Sequence, residues 1–226
     1  MFGHALNSET VEAALEQGYE LAAGVEAATV EQLKRAKVVH FDETGLRVAG
    51  RLCWLHTASN SLYTHLFVHP RRGGEALRSA ASVLKDFGGR AIHDCLPAYY
   101  QFEQAKHGAS CLAHILRELQ GLVEQGSAWA GVMHAFLWHL YEQARPLRGE
   151  AAVAARNRYR QIVSEAELAE PPPEQQAGRG RPRSTAGRNL LRRLKEHEEA
   201  VLAFALVEGV PFTNNQAERD LQSNRK

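Results

Sequence analysis

The sequence predicts a mixed α/β fold in which helices flank a sheet, and three observations lead to this class. Short β-type runs fill the stretch between about residues 37 and 114. Helical periodicity governs most of the remaining chain, and a proline- and glycine-rich stretch interrupts the helices at 170–187. The 226 residues suffice for one sizeable core with an inserted subdomain.

Composition excludes several classes of protein. Apolar residues make up 44% and charged residues 23% of the chain, as in ordinary globular proteins. The three cysteines show no CxxC spacing, which argues against a disulfide framework and favours a reducing compartment. The apolar runs are too short for a membrane span, and no leader peptide is recognisable. We therefore expect a cytoplasmic protein, associated with the nucleoid if it binds DNA.

Residues 1–36 are predicted to form an amino-terminal helical segment. Ser8 is a candidate cap, and apolar residues from Val11 to Val25 follow a helical period. This segment is acidic, because six glutamates and no lysine or arginine precede Lys34. The net charge of the whole chain, +1, conceals that asymmetry.

Three closely spaced β-type runs follow and predict an antiparallel meander. The first run, 37–45, ends in an acid and a turn. The second, 46–58, is interpreted as two strand pieces around Ala49 and Gly50, and the third, 61–70, stops at Pro70.

The next elements alternate between helix and strand. A helix bracketed by glycines is predicted at 73–89 and a short strand that ends in an acid at 90–95. Pro97 begins a helical turn, and a fifth strand is predicted within 107–115.

Helical signals dominate the carboxy-terminal half. Helices are predicted at 114–126, 128–144, 149–168 and 188–209, with a last one opened at Thr213. This order of elements is that of a ribonuclease-H-like core. We assign the core to 37–114, a helical insertion and basic linker to 115–187, and helices that complete the core to 188–226.

Three acidic residues are placed where they can meet. Asp42 follows the first strand and Asp94 the fourth, so adjacent central strands would bring both carboxylates to one edge of the sheet. Glu218 lies on the last helix, which can pack across that edge. On a helical wheel Ala217 and Leu221 face the core, and Glu218 shares its side of the helix with Asn214.

Converging carboxylates repel one another unless a cation lies between them. Their hard oxygen ligands suit Mg²⁺ or Mn²⁺, and a pair of such ions supports phosphodiester cleavage and transfer. The alternative is that each acid has only a local role. An acid after a strand is often a turn or cap residue, and Thr213 with Gln216 fits a capping box that makes Glu218 a surface acid.

Four motifs resemble those of the insertion sequence 66 transposase family and occur in the same order. They are HFDETGLRVAGRLCWLHTASN, HDCLPAYY, CLAHILREL and VPFTNNQAERDL, and the resemblance extends from about Ser8 to Leu221. It implies the central catalytic domain of a DDE transposase with a ribonuclease-H-like fold. The catalytic and metal-binding acids it implies are Asp42 in DETG, Asp94 in HD and Glu218 in NNQAER.

The resemblance also implies a reaction and its partners. The reaction is metal-dependent cleavage and strand transfer of an insertion sequence, with Mg²⁺ or Mn²⁺ as the cofactor. The partners are DNA at the transposon ends and at the target, further copies of the chain and accessory proteins of the same element. Two alternatives stay open: a truncated, inactive remnant that binds DNA or regulates a partner, and a tyrosine recombinase using His114, Arg117 and Tyr141 or Tyr159.

Several polar residues are candidates for DNA contact. Asn214, Asn215 and Arg219 either orient Glu218 or hold a phosphate. The segment 178–195 carries seven Lys or Arg residues and no acid, which favours phosphate binding. Its candidate arginines are Arg179, Arg181, Arg183, Arg192 and Arg193. RGRP at 179–182 resembles the core of a minor-groove AT-hook, with a nonspecific basic linker as the alternative.

Two further expectations concern nearby residues. Glu43 is expected to point away from Asp42, toward solvent or a turn. The spacing of His107, Cys111 and His114 suggests zinc, with Cys95 as a fourth ligand, although a buried thiol and capping histidines explain the same residues.

Overall fold

The computed structural model describes residues 7–109, 112–143, 145–172 and 184–223. It confirms a mixed α/β fold with a five-stranded mixed sheet flanked by helices. The strands are β1 (Val38–Val48), β2 (Arg51–Ser59), β3 (Thr64–His69), β4 (Arg90–His93) and β5 (Lys106–Ala109). The helices of four or more residues are α1 (Ser8–Arg35), α2 (Gly74–Leu77), α3 (Leu112–Glu124), α4 (Ala128–Glu142), α5 (Gly149–Ala169), α6 (Ala186–Glu196), α7 (Glu198–Leu206) and α8 (Asn215–Ser223).

The first three strands form the predicted antiparallel meander. The turn between β1 and β2 consists of Ala49 (φ 48°) and Gly50 (φ 79°), both in the left-handed region, as a tight hairpin turn requires. Residues 46–48 continue β1 instead of forming a separate strand, and Val48 pairs with Arg51 across the turn.

The strand order is β3-β2-β1-β4-β5, with parallel pairing of β1 to β4 and of β4 to β5. The parallel pairing of β1 covers only Val38 to His40. The sequence predicts that Asp42 lies at the end of β1. In the structure β1 continues past Asp42 into the hairpin with β2. Asp42 lies just beyond the point where β1 and β4 separate.

Two apolar clusters lie on opposite faces of the sheet. Ile92 of β4 packs with the buried residues of α3 to α7, whereas its neighbour Ala91 packs on the other side with Phe41, Phe87 and Tyr99. Alternate residues of a strand face opposite sides, so one short strand contributes to both clusters.

Several helices differ from their predicted bounds or caps. The predicted helix at 73–89 is reduced to α2 and a 3-10 turn at Leu84–Asp86, and the predicted helix at 188–209 is divided into α6 and α7 at His197. Helix α1 is capped by the Asn7 side chain instead of Ser8. The turn at Pro97 is a 3-10 helix at Tyr99–Gln101.

Helix α8 begins at Asn215 and not at Thr213. Its first backbone bond runs from the Glu218 N–H to the Asn214 carbonyl at 3.2 Å, so Asn214 takes the cap position. The division of the chain into a core, an insertion and completing helices stays a prediction. Within the described ranges, no helix combines the length and apolar character needed to cross a lipid bilayer.

Candidate functional site

Asp42, Asp94 and Glu218 line one cavity of about 270 Å³, as the sequence predicts. They come from β1, from the residue after β4, and from α8. The cavity is completed by seven further residues: Glu43, Thr44, His114, Arg117, Asn214, Leu221 and Gln222. The acids Asp42, Asp94 and Glu218 thus lie around a single small space with the exposed His114 and Arg117 of α3, and the Glu43 side chain lies in the interior beside it.

Burial strongly perturbs the Asp42 carboxyl group. Burial raises its pKa to about 7, and the negative charges of Glu43, Asp94 and Glu218 add to the increase. The backbone N–H of Glu43 donates to Asp42 Oδ1 at 2.9 Å, which partly opposes this effect. A carboxyl group with this pKa binds a proton or a cation readily near neutral pH.

Asp94 is fixed by its position directly after β4. Its Oδ1 accepts a hydrogen bond from the Leu96 N–H at 3.0 Å, so the carboxylate also caps the turn that follows the strand. Its Oδ2 lies 3.7 Å from Nη2 of Arg72, and its side chain is 30% exposed. Oδ1 therefore orients the side chain, and Oδ2 faces the guanidinium group of Arg72.

Helix α8 is held against the sheet by a buried amide. Asn214 Oδ1 accepts from Nδ1 of His40 at 2.8 Å, and Asn214 Nδ2 donates to the Phe41 carbonyl at 2.9 Å. Both ends of this side chain contact β1, at the two residues that precede Asp42. Both polar groups of the Asn214 side chain are thus used within the protein, and that Asn214 orients Glu218 stays a prediction.

The apolar side of α8 behaves as the helical wheel predicts. Ala217 and Leu221 are buried, and the helix packs on β1 and β2. Asn214, Glu218 and Gln222 line the cavity on the adjoining side. This packing sets the direction in which Glu218 points.

The expectation that Glu43 points toward solvent or a turn is wrong. Its side chain is 1% exposed and lies in the interior beside the cavity. Arg72 Nε donates to Glu43 Oε1 at 2.8 Å, and the Tyr99 hydroxyl donates to Glu43 Oε2 at 2.5 Å. Burial raises the pKa of Glu43, and these two donors stabilise its charged form.

Arg72 and Tyr99 were not among the predicted site residues. Arg72 joins Glu43 to Asp94, and its guanidinium lies 5.0 Å from the ring centroid of Trp54. The separation from Glu43 is 29 residues for Arg72 and 56 for Tyr99, so no local spacing signals either contact. The only sequence signal was the acid itself, next to Asp42.

The carboxylates supply the hard oxygen donors that Mg²⁺ prefers. In their present conformations, however, no three His, Cys, Asp or Glu side chains of the described residues converge closely enough to hold a metal ion. Asp94 is turned toward Arg72 and Leu96. The donor chemistry thus suits a divalent cation, and the side-chain geometry does not yet form its coordination shell.

The other residues that are predicted to contact DNA lie on different elements. Asn215 and Arg219 lie exposed on α8, and Arg192 is exposed on α6. Arg193 is half-buried and forms an ion pair with Glu118 of α3. Arg179, Arg181 and Arg183, with the AT-hook-like RGRP, lie outside the described residues.

The described part of the predicted zinc group makes other contacts. His107 bonds to Nε2 of His93 at 3.0 Å and to the Phe102 carbonyl at 3.1 Å, while His114 lies exposed at the carboxylate cavity. Cys111 lies outside the described residues, and Cys95 is partly buried against the helical cluster.

One nucleophile of the recombinase alternative is inaccessible. Tyr159 is 1% exposed, and its hydroxyl donates to the Leu194 carbonyl at 2.8 Å. The other two residues of that hypothesis, His114 and Arg117, line the carboxylate cavity.

Comparison with known proteins gives one match. The model of the family described as "Transposase IS66 family" matches residues 1–224, essentially the whole chain. No curated protein and no solved structure matches the chain. On this match, and with the motif acids gathered at one cavity, the chain belongs to the IS66 family of transposases.

Proposed function

We propose that this chain catalyses DNA strand cleavage and strand transfer through the carboxylates of Asp42, Asp94 and Glu218. The observation that carries the proposal is their common cavity, reached from three distant parts of the sequence. Membership of a transposase family supports DNA as the partner. The strand order β3-β2-β1-β4-β5, with an antiparallel meander followed by parallel strands, supports a ribonuclease-H-like core.

Asp42 and Asp94 would hold Mg²⁺ or Mn²⁺, with Glu218 as the third ligand. The metal would supply charge neutralisation and a more acidic water or 3′-hydroxyl. To reach it, the Asp94 carboxylate turns away from Arg72, which keeps its shorter contact to the buried Glu43. Asn214 keeps α8 at the distance that Glu218 needs.

The protein side chains contribute mainly positioning and electrostatic stabilisation. Arg117 and His114, exposed on α3 at the cavity, are placed to contact the phosphate that is cut. Arg192, Asn215 and Arg219 would hold DNA farther from the cut, and the basic arginines at 179–183 would add nonspecific phosphate contacts. Assembly of several copies on DNA, and cooperation with accessory proteins, belong to the same proposal.

The test is cleavage of DNA that carries the element's own ends, with Mg²⁺ and with EDTA. We expect Asp94→Asn to abolish metal-dependent cleavage while folding and DNA affinity stay close to those of the parent chain. Glu75→Gln is the matched control, because Glu75 is an exposed acid that is not among the residues lining the cavity. Cleavage by Asp94→Asn at the parent rate would refute the mechanism.

The inactive-remnant alternative is tested by the same experiment. It predicts DNA binding without cleavage for the parent chain under every metal condition. A full-length family member, assayed in parallel on the same DNA, shows whether the substrate itself is competent.

A further inference from the structure

Three aromatic side chains form an exposed cluster beside the carboxylate cavity. Trp138 and Tyr141 belong to α4, and Phe212 lies in the segment that leads into α8. The ring centroids of Tyr141 and Phe212 are 4.2 Å apart, and those of Trp138 and Tyr141 are 5.6 Å apart. Trp138 is 45% and Tyr141 is 37% exposed, so the cluster presents a large apolar surface to solvent.

The cluster is held in place by the structure behind it. Phe212 packs edge-on against the buried Phe204, with ring centroids 4.9 Å apart. The Trp138 indole N–H donates to Glu142 Oε1 at 2.9 Å, which fixes the plane of the ring. An exposed aromatic group that is fixed in this way is available for stacking without a large loss of conformational entropy.

The aromatic cluster lines a cavity of about 500 Å³ that adjoins the carboxylate cavity. Arg117 lines both cavities. Thr213 lines the aromatic cavity, and Asn214, the next residue, lines the carboxylate cavity. A ligand that extends from one cavity to the other therefore passes Arg117.

Positive charge accompanies the aromatic surface. The guanidinium carbon of Arg145 lies 4.7 Å from the ring centroid of Tyr141, and the exposed Arg117 stands between the two cavities. Flat rings next to arginines match the two parts of a nucleotide, since the base stacks on the rings and the phosphate pairs with the guanidinium groups.

We propose that Trp138, Tyr141 and Phe212 form a stacking site for an unpaired nucleobase of the DNA strand that is cut. The proposal rests on the proposed function, because a strand whose phosphate lies at Asp42 and Asp94 passes Arg117 and reaches this cavity. Its volume is ample for one base. Taking a base out of the duplex at this position would hold the strand in register with the carboxylates.

The test uses single-stranded DNA and needs neither the element's ends nor catalysis. A twelve-nucleotide oligothymidylate and a twelve-nucleotide abasic strand of the same charge are titrated in EDTA, with binding followed by fluorescence anisotropy. The parent chain is expected to bind the oligothymidylate about fivefold to a hundredfold more tightly, which is the range for stacking of one base.

Trp138→Ala is expected to remove most of this preference, and Trp138→Phe to retain part of it. Tyr63→Ala is the matched control, because Tyr63 is 37% exposed like Tyr141 but lies between β2 and β3. It should leave the preference unchanged. Tyr141→Ala provides a second variant at the site, and circular dichroism checks that each variant is folded.

Two results would overturn the proposal. One is that the parent chain, Trp138→Ala and Tyr141→Ala all prefer the oligothymidylate over the abasic strand by the same factor. The other is a change of oligomeric state in Trp138→Ala, seen by light scattering, with the base preference intact; the cluster would then be a contact between proteins. Asp94→Asn should keep the preference, so a failure of the carboxylate mechanism is distinguishable from a failure of the stacking site.

Discussion

The Asp42 carboxyl group is buried beside three other carboxyl groups, and its pKa of about 7 lies well above the ordinary 3.8. An acid whose pKa is higher in the folded than in the unfolded chain stabilises the protein below the unfolded value. That contribution is lost as the pH rises through the folded value. Folding is therefore opposed by the Asp42 charge at pH 8 and much less at pH 5.

Asp42→Asn is expected to increase the free energy of unfolding of the metal-free protein at pH 8 by on the order of 2 kcal/mol. This is about half of the free energy that a shift of three pKa units represents, because the carboxyl group is partly solvated. The gain should fall to less than half of that at pH 5, where the folded parent chain already carries the proton. Urea unfolding in EDTA at the two pH values measures it. An equal gain at both values would show that burial of the charge is not the cause.

Arg72 stabilises a carboxylate that is otherwise buried without a cationic partner. Glu43 is 1% exposed on the side chain, whereas Arg72 is 43% exposed and reaches it from the surface. Removing one member of such a pair leaves the other charge uncompensated in the interior. The remaining donor to Glu43 is the Tyr99 hydroxyl.

Arg72→Ala is expected to lower the free energy of unfolding by about 2 kcal/mol at pH 8, since the exposed half of the pair moderates the cost. Its neighbour provides the control: Arg71 pairs with Glu75 at 3.8 Å, and both side chains are 72% exposed. Arg71→Ala should change stability by less than about 0.5 kcal/mol. Similar losses from the two variants, measured by urea unfolding, would contradict the role of Arg72.

At the scale of elements, the Asn214 side chain adds two hydrogen bonds to the apolar packing of α8 on β1. Asn214 is 2% exposed and bonds to His40 and to the Phe41 carbonyl. Asn214→Ala removes a bond to the half-buried His40 ring and a bond to the Phe41 carbonyl, and we expect a loss of about 2–3 kcal/mol in stability. Asn215→Ala, one residue along and exposed, should cost less than about 1 kcal/mol.

The variants Asn214→Ala and Asn215→Ala also distinguish a positioning role of Asn214 from direct contact of Asn214 with DNA. If Asn214 orients Glu218, Asn214→Ala lowers the rate of cleavage at saturating DNA and leaves DNA affinity nearly unchanged. A loss of affinity with an unchanged rate would instead make Asn214 a DNA-binding residue. Quantitative cleavage assays on the element's ends measure both.

Elements with strong alternation were predictable, and elements shaped by distant contacts were not. The meander of β1 to β3 follows from β-type runs with a turn at Ala49 and Gly50. The helix predicted at 73–89 is interrupted by a turn, which the Ser82 backbone N–H closes by donating to the Ser79 carbonyl at 3.1 Å.

The break between α6 and α7 has a tertiary partner. The His197 ring stacks on Tyr100 with centroids 3.7 Å apart. Tyr100 lies almost a hundred residues earlier in the chain. The periodicity of the 188–209 stretch contains no trace of that contact, so a continuous helix was the reasonable prediction.

At the scale of the whole molecule, the candidate site exists only because the chain folds. Asp42, Asp94 and Glu218 belong to separate motifs, and the sheet and α8 bring them to one cavity. Acids at strand ends and on a polar helix face were recognisable from sequence. The buried Glu43 with Arg72 was not, because Arg72 reaches it from the segment between β3 and β4, and Tyr99 from the segment between β4 and β5.

The most direct test of this account is binding of Mn²⁺ to the folded chain, followed by electron paramagnetic resonance of the free ion. We expect Asp42→Asn, Asp94→Asn and Glu218→Gln each to weaken Mn²⁺ binding about tenfold or more, and Glu75→Gln to bind like the parent chain. Binding should also release protons near pH 6, because Mn²⁺ would displace the proton of the Asp42 carboxyl group into solvent. If all three variants bind Mn²⁺ with the parent affinity, the three acids do not share a metal ion and the account is wrong.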